Sequence, residues 1–365
     1  MSASIDRKPG EKKLPPTWLI YERMDRVRTR QGRWLDTFGW GPRETPYRIV
    51  HRRAGLTLKG YADPAGSGPI LLIVPAPIKR AYIWDLAPGV SVVQSCLDQG
   101  LRPYLVQWEA PEAGAGLAEF GEGYLAECVR AIRAECGSDG VMLAGHSLGG
   151  ILAAVFAAVR PERVKGLMLL GTPLHYTHSQ DQGALGAVAE AGGGWLESLP
   201  ARVPGSFMSM AGFMASPAAF GKERLADWWR SLPDREALRT HMQVERWSLD
   251  ELPLAGRLVE DLLRQLYGAD AFMTGKLRCG RRIAAAGRVS APLLVVAEPN
   301  CPIVPPAAIL PFVERAASRE KKVLLYEGDV GVAIQHVGAL VGRNAHARLW
   351  PEILAWTRAV WPKLG

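Results

Sequence analysis

The stretch Gly145-His146-Ser147-Leu148-Gly149 limits what this chain can fold into more than any other. An apolar run, Gly140-Val141-Met142-Leu143-Ala144, precedes it, and a small-residue apolar run over 150–158 follows it. The first reads as a buried strand and the second as a helix. A serine at a strand-to-helix junction, with glycines two residues away on each side, is the pattern of a nucleophile elbow. The spacing has a physical reason. The serine occupies a strained turn, so its neighbours must be small for helix and strand to approach each other while the hydroxyl stands free. The next backbone N–H, that of Leu148, then lies at a helix N-terminus, where it can hold an oxyanion.

The rest of the chain alternates strands and helices around this junction. Strands are expected over 47–51, 56–61, 70–74, 103–108, 140–144 and 165–170, and again over 292–297 and 322–326. Helices are expected over 86–97 and 117–136 and after the elbow. This alternation predicts a doubly wound, mostly parallel sheet and, with the elbow, an α/β-hydrolase fold. It stops between 174 and about 288, a stretch rich in Met and Trp that reads as helix and loop. The expected organisation is an N-terminal arm over 1–45, a core formed by 46–173 and 289–365, and a helical cap over 174–288. Met and aromatic side chains there fit either core packing or the wall of an acyl-binding groove.

Composition excludes several classes. With 48% hydrophobic and 22% charged residues the chain has the make-up of a soluble globular enzyme. No apolar run approaches membrane-spanning length, so no transmembrane segment is expected. The first 16 residues are polar and basic, which argues against a secretory signal and for a cytoplasmic protein. Cys96, Cys128, Cys136, Cys279 and Cys301 are scattered and show no metal-ligand spacing; they read as free thiols. No metal and no cofactor are expected. The net charge of +8 concentrates between Arg23 and Arg53 and at Arg278, Arg281 and Arg282. It fits a solvated surface or attraction to an anionic substrate or polymer surface. No nucleic-acid-binding motif accompanies it, so nucleic acid is not an expected partner.

An elbow serine needs a histidine late in the chain. His336 fits, ten residues after the strand ending at Tyr326 and flanked by glycines at 331 and 338. His346 lies in a polar helical stretch and reads as a surface residue. His146 is inside the elbow; His175 and His178 read as loop residues that could also face the site. The acid member should follow the 292–297 strand, where the chain reads Glu298-Pro299-Asn300-Cys301-Pro302. No aspartate is present. Asn300 or Cys301 occupies the expected place, with Glu298 or Asp329 as other sources of charge. An asparagine can orient an imidazole but cannot stabilise the imidazolium. The second oxyanion donor should come from the Pro75-Ala76-Pro77-Ile78-Lys79 loop. Prolines lack an N–H, which leaves Ala76 or Ile78, with Ile78 preferred.

On these residues the chain resembles the polyhydroxyalkanoate synthases, most of all the class whose catalytic subunit works with a second subunit. The similar stretches run from the 75–86 segment through 100–108, the elbow, Arg160-Pro161-Glu162-Arg163, Glu245-Arg246-Trp247 and 262–267. They end with Ile303-Val304-Pro305 and His336-Val337-Gly338. The resemblance spans roughly 45–345. Two departures stand out. The family's elbow carries a cysteine where this chain has Ser147, and its aspartate falls where this chain has Asn300 or Cys301. The histidine carries over to His336.

The resemblance implies an acyltransferase. A hydroxyacyl group would pass from a coenzyme A thioester to Ser147, and a hydroxyl acceptor would then take it with His336 as general base. A serine forms an oxyester, a lower-energy acyl-enzyme than a thioester, which raises hydrolysis as an alternative: an esterase, thioesterase or polyester depolymerase. A third reading is a non-catalytic partner subunit or polymer-surface binder, favoured by the missing aspartate and opposed by the elbow and His336. The implied partners are an acyl thioester or ester and a second copy or second subunit.

Overall fold

The computed structural model describes residues 16–176 and 196–361. His178, the Gly192-Gly193-Gly194 break, Trp195 and the first fifteen residues of the arm lie outside the described residues. The centre of the fold is an eight-stranded sheet. Its strands are β1 (Arg48–Arg53), β2 (Leu56–Gly60), β3 (Ile70–Val74), β4 (Arg102–Trp108), β5 (Val141–His146), β6 (Val164–Leu170), β7 (Leu293–Ala297) and β8 (Lys321–Leu325). They lie in the order β1-β2-β4-β3-β5-β6-β7-β8. The β1–β2 and β2–β4 pairs are antiparallel and all the others are parallel. This is the α/β-hydrolase fold.

The central strands read as continuous apolar runs because both faces of a parallel sheet are covered. Alternate residues feed two cores. Leu72, Val74 and Leu143 point to one side with α3 (Tyr124–Cys136) and α4 (Leu148–Val159). Leu71, Ile73, Met142 and Ala144 point to the other with α2 (Val92–Asp98) and α8 (Trp350–Val360). Helix α4 is buried along almost its whole length, which suits its Ala-rich, charge-free sequence.

One expected element is different. Residues 86–97 do not form a single helix: a two-stranded hairpin (Asp85–Ala87 with Val90–Ser91) comes first and α2 begins only at Val92. Pro88-Gly89 turns the hairpin, with Gly89 at φ +86°, and the Ser91 hydroxyl caps α2 by accepting from the Gln94 N–H. Buried Asp85 accepts from the Thr45 N–H, the Thr45 hydroxyl and the Ser91 hydroxyl, tying the residues before β1 to this hairpin.

Between β6 and β7 the described chain is mainly helical: α5 (Gly205–Ala215), α6 (Arg224–Ser231) and α7 (Arg235–Ser248). The N-terminal helix α1 (Pro16–Asp36) packs on them. Asp25 accepts from the first backbone N–H groups of α5, at Gly205 and Ser206, and Asp36 pairs with Arg246 of α7. An isolated hairpin, Leu277–Cys279 with Arg282–Ala284, buries Leu277, Cys279 and Ala284 in the α4 core. None of the described helices is long and apolar enough to cross a membrane.

Burial ranks the strands. Leu143, at the centre of β5, is fully buried, whereas Leu325 on edge strand β8 is 64% exposed. Leu143→Ala should therefore cost about 2–5 kcal/mol and Leu325→Ala less than about 0.5 kcal/mol, measured by urea denaturation.

Candidate functional site

Ser147 joins β5 to α4 at φ 54° and ψ −128°, a backbone conformation that non-glycine residues rarely adopt. Packing holds it there. A Cβ at Gly149 would overlap the carbonyl oxygen of Val74 in β3, and one at Gly150 would overlap the buried hydroxyl of Thr172. A Cβ at Gly145 would in turn meet the backbone of Gly150. These glycines let the start of α4 sit directly on β3 and β6. The Ser147 N–H donates to the carbonyl of Leu170 at 3.1 Å, which locks the turn to the end of β6. Leu148 is the first residue of α4, so its N–H is among the first-turn donors that have no partner within the helix.

His336 stands beside the elbow. Its ring packs against Gly171, the residue after β6: a Cβ there would stand 3.2 Å from His336 Cε1. Burial pushes its pKa well below the ordinary histidine value, and neighbouring His146 adds to the effect, so the ring is a neutral base at neutral pH. The Nε2 atom is buried and has no hydrogen-bond partner among the described residues. No hydrogen bond joins it to Ser147. His146 Nε2–H donates to the carbonyl of His336 at 2.7 Å, and the two rings lie 4.5 Å apart. This bond fixes the backbone of His336 and makes His146 a structural partner. Burial lowers the His146 pKa to about 4.

The two sequence candidates for the acid position, Asn300 and Cys301, sit differently in the structure: one is exposed and the other buried. Glu298-Pro299-Asn300-Cys301 forms a tight turn closed by the Cys301 N–H donating to the Glu298 carbonyl at 3.2 Å. Asn300 is at the corner of that turn, exposed and without a hydrogen bond to His336. The expectation that Asn300 orients the histidine therefore fails: the proline and asparagine of a β-turn occupy its outer positions. Cys301 closes the turn on the inner side, 5% exposed, with Sγ 3.7 Å from His336 Nδ1. Its Sγ also accepts from the Val304 N–H at 3.4 Å. Glu298 lines the same small cavity as Cys301, His336 and Gly171. Burial raises the Glu298 pKa to about 7, and burial raises the Cys301 thiol to about 11.

Asp329 is committed elsewhere. It accepts from the Tyr326 hydroxyl and from the backbone N–H groups of Asn344 and Ala345. His346 bonds to the Ser95 hydroxyl and the Leu340 carbonyl, and His175 to Asp270. Ile78 is half-buried, its carbonyl accepting from the Leu252 N–H. The neighbouring Lys79 ammonium binds Glu251 at 3.1 Å and the Ser248 carbonyl, and Trp247 Nε1–H donates to Arg80. The 75–80 loop is thus held by residues inserted between β6 and β7.

Sequence reasoning missed Asp227. This buried carboxylate on α6 accepts from the Gly331 and Ala333 N–H groups at 2.9 and 2.8 Å, and from His241 Nδ1 at 2.8 Å. Ala333 has φ 57°, so Asp227 holds a strained loop three residues before His336. Nothing in the local sequence marks this residue, because the Gly331 and Ala333 N–H groups it holds lie more than a hundred positions away. Among the described residues no group of His, Cys, Asp or Glu is arranged to hold a metal ion.

Comparison with known proteins agrees with this architecture. A family profile described as alpha/beta hydrolase fold matches residues 103–237. The poly(3-hydroxyalkanoate) polymerase subunit of Haloferax mediterranei is 27% identical over 86% of this chain, and the match covers 64% of that protein's length. The corresponding subunit of Thiocystis violacea is 23% identical over 86% of this chain and 88% of its own. Among solved structures, the monoacylglycerol lipase of Paleococcus ferrophilus superposes with a TM-score of 0.53 at 15% identity, covering 84% of this chain and 99% of the lipase.

Two outcomes follow from the geometry. Asp227→Ala leaves two buried N–H groups and His241 Nδ1 without their partner, and should cost about 2–5 kcal/mol by urea denaturation. Acid should also destabilise the fold through His146. Its folded pKa is depressed, so the unfolded chain binds the extra proton, and stability falls as pH drops from 6.5 towards about 4. That slope should shrink in His146→Gln, measured as unfolding free energy against pH.

Proposed function

We propose that this chain, which is similar to poly(3-hydroxyalkanoate) polymerase subunits and to the alpha/beta hydrolase family, is an enzyme that forms an acyl-enzyme on Ser147 from a (hydroxy)acyl thioester such as an acyl-CoA and passes the acyl group to a hydroxyl acceptor. The observation that carries this reading is the left-handed backbone of Ser147 at the N-terminus of α4, with a neutral, unpartnered His336 Nε2 beside the elbow.

In this mechanism His336 Nε2 takes the proton as Ser147 Oγ attacks the acyl carbonyl. The Leu148 N–H, with the Ile78 N–H of the 75–80 loop as second donor, holds the tetrahedral oxyanion. The leaving thiolate receives the proton from His336, giving the Ser147 ester. An acceptor hydroxyl then gives its proton to the same nitrogen and attacks the ester, and Ser147 recovers its own as the intermediate collapses. The serine favours this two-step route because an unassisted hydroxyl is a poor nucleophile and needs the histidine. Residues 174–288 act as a cap over the site in this reading. The bonds from Trp247 and Glu251 to the 75–80 loop support that role, since they join the inserted segment to the oxyanion loop. A second copy or a second subunit is the expected protein partner, by likeness to relatives that are themselves subunits.

Incubation with an acyl-CoA or an activated ester should add one acyl mass to the intact protein. The adduct should map to Ser147 and vanish in Ser147→Ala. An unmodified wild-type protein would overturn the reading. Breakdown of the adduct separates the two chemistries: faster release to an added alcohol than to water supports the transferase, and equal release in water alone makes the protein a hydrolase.

A further inference from the structure

We propose that Cys301 transmits the charge of Glu298 to His336, so that a carboxylate, a thiol and an imidazole in series do the orienting work usually done by one aspartate. The proposal rests on the acyl-transfer reading for its kinetic consequences. Its structural content can be tested without activity.

Asp329 and Asp227 are saturated by backbone donors and by Tyr326 or His241. Asn300 faces solvent. Of the residues lining the cavity beside His336, Glu298 is the one carboxylate, and Cys301 lines the same cavity. Cys301 Sγ is within sulfur hydrogen-bond range of His336 Nδ1 at 3.7 Å.

The direction of each bond follows from what each group holds. The Cys301 thiol is protonated at neutral pH, so it has a hydrogen to give to Glu298. Its sulfur lone pairs then accept from the Val304 N–H and from His336 Nδ1–H. A hydrogen on Nδ1 leaves the Nε2 lone pair free, which is the tautomer a general base needs. The opposite polarity, with the thiol donating to Nδ1, would place the hydrogen on Nε2 and disable the base. Glu298 selects the productive polarity by competing for the thiol hydrogen. When Nε2 takes the Ser147 proton, the imidazolium charge is stabilised by the Glu298 carboxylate acting through the polarised S–H. No net proton leaves Cys301, and the Nε2 proton departs with the leaving group. Glu298 and Cys301 are therefore positioning residues: neither touches the substrate.

The groups around Glu298 set the pH at which this operates. The Cys301 thiol lowers its pKa by hydrogen bonding, while burial and Glu223, at the end of the segment before α6, raise it. The Tyr326 phenol and His336 share the cavity, and Tyr326 is held neutral by burial and by Asp329. The carboxylate form is the working form. Acylation should therefore fall as pH drops through about 7, a limb that His336, with its strongly depressed pKa, does not supply.

The decisive comparison uses the whole chain and the acylation rate of Ser147 with an activated ester, from about 1.5 pH units below to about 2 units above the Glu298 value of about 7. Glu298→Gln and Cys301→Ala should each slow acylation by at least about tenfold at high pH and erase the acid limb. Cys301→Asp places a carboxylate directly on Nδ1 and should at least match the wild type. In that background Glu298→Gln should cost less than about threefold, because the aspartate no longer needs it. An equal loss from Glu298→Gln in both backgrounds, or an unchanged rate and limb in Cys301→Ala, overturns the proposal. Nitrogen-15 NMR of His336 supplies the readout independent of activity. The wild type should show the Nδ1–H tautomer and Cys301→Ala a shift towards Nε2–H; the same tautomer in both overturns the proposal. Failure of wild-type Ser147 to acylate would sink the acyl-transfer reading, and the tautomer comparison would still decide the role of Cys301.

Discussion

The close seating of α4 on the sheet is the constraint on which the site depends. Ser147 occupies a backbone conformation that costs on the order of 1–3 kcal/mol. The structure tolerates it because α4 buries nearly its whole surface and because glycines 145, 149 and 150 remove the side chains that would push helix and strand apart. Any widening there would relax Ser147 and shift the Leu148 N–H relative to it. The apolar core and the chemistry of the elbow are therefore consequences of one packing event.

The histidine side of the site is built on polar contacts instead. His336 lies on a loop whose strained Ala333 is held by Asp227, whose backbone carbonyl is held by His146, and whose following segment is held by Asp329. Two of these three anchors have partners far away in sequence. Because Asp227 comes from the helices inserted between β6 and β7, those helices bear on the geometry of the base as well as on whatever covers the site. The same inserted segment holds the 75–80 loop through Glu251 and Trp247. A rearrangement of these helices would act on both the His336 loop and the 75–80 loop.

Legibility varied with the range of the interactions. Strand β3 was readable to the residue because a continuous apolar run bounded by turn residues has few other fates. The elbow was readable because its signal is a local steric requirement. The 86–97 helix was misread although Pro88-Gly89 and Ser91 carried the correction: a turn dipeptide followed by an N-cap residue starts a helix at 92, not at 86. The choice between Asn300 and Cys301 was open in the sequence, yet Glu298-Pro299-Asn300-Cys301 has the signature of a β-turn, which sends its third residue outward. Asp227 carried no such local mark.

By itself, the sequence determined the α/β sheet, the elbow at Ser147 and the late histidine. Each depends on residues within a few positions of one another: periodic burial along a strand, or glycines that must stand next to a strained serine. Tertiary structure alone decided which side chain meets Nδ1 of His336 and which acid holds its loop. Those outcomes are set by contacts between segments brought together only when the sheet closes. There the energy of a buried polar group depends on partners that local sequence does not specify.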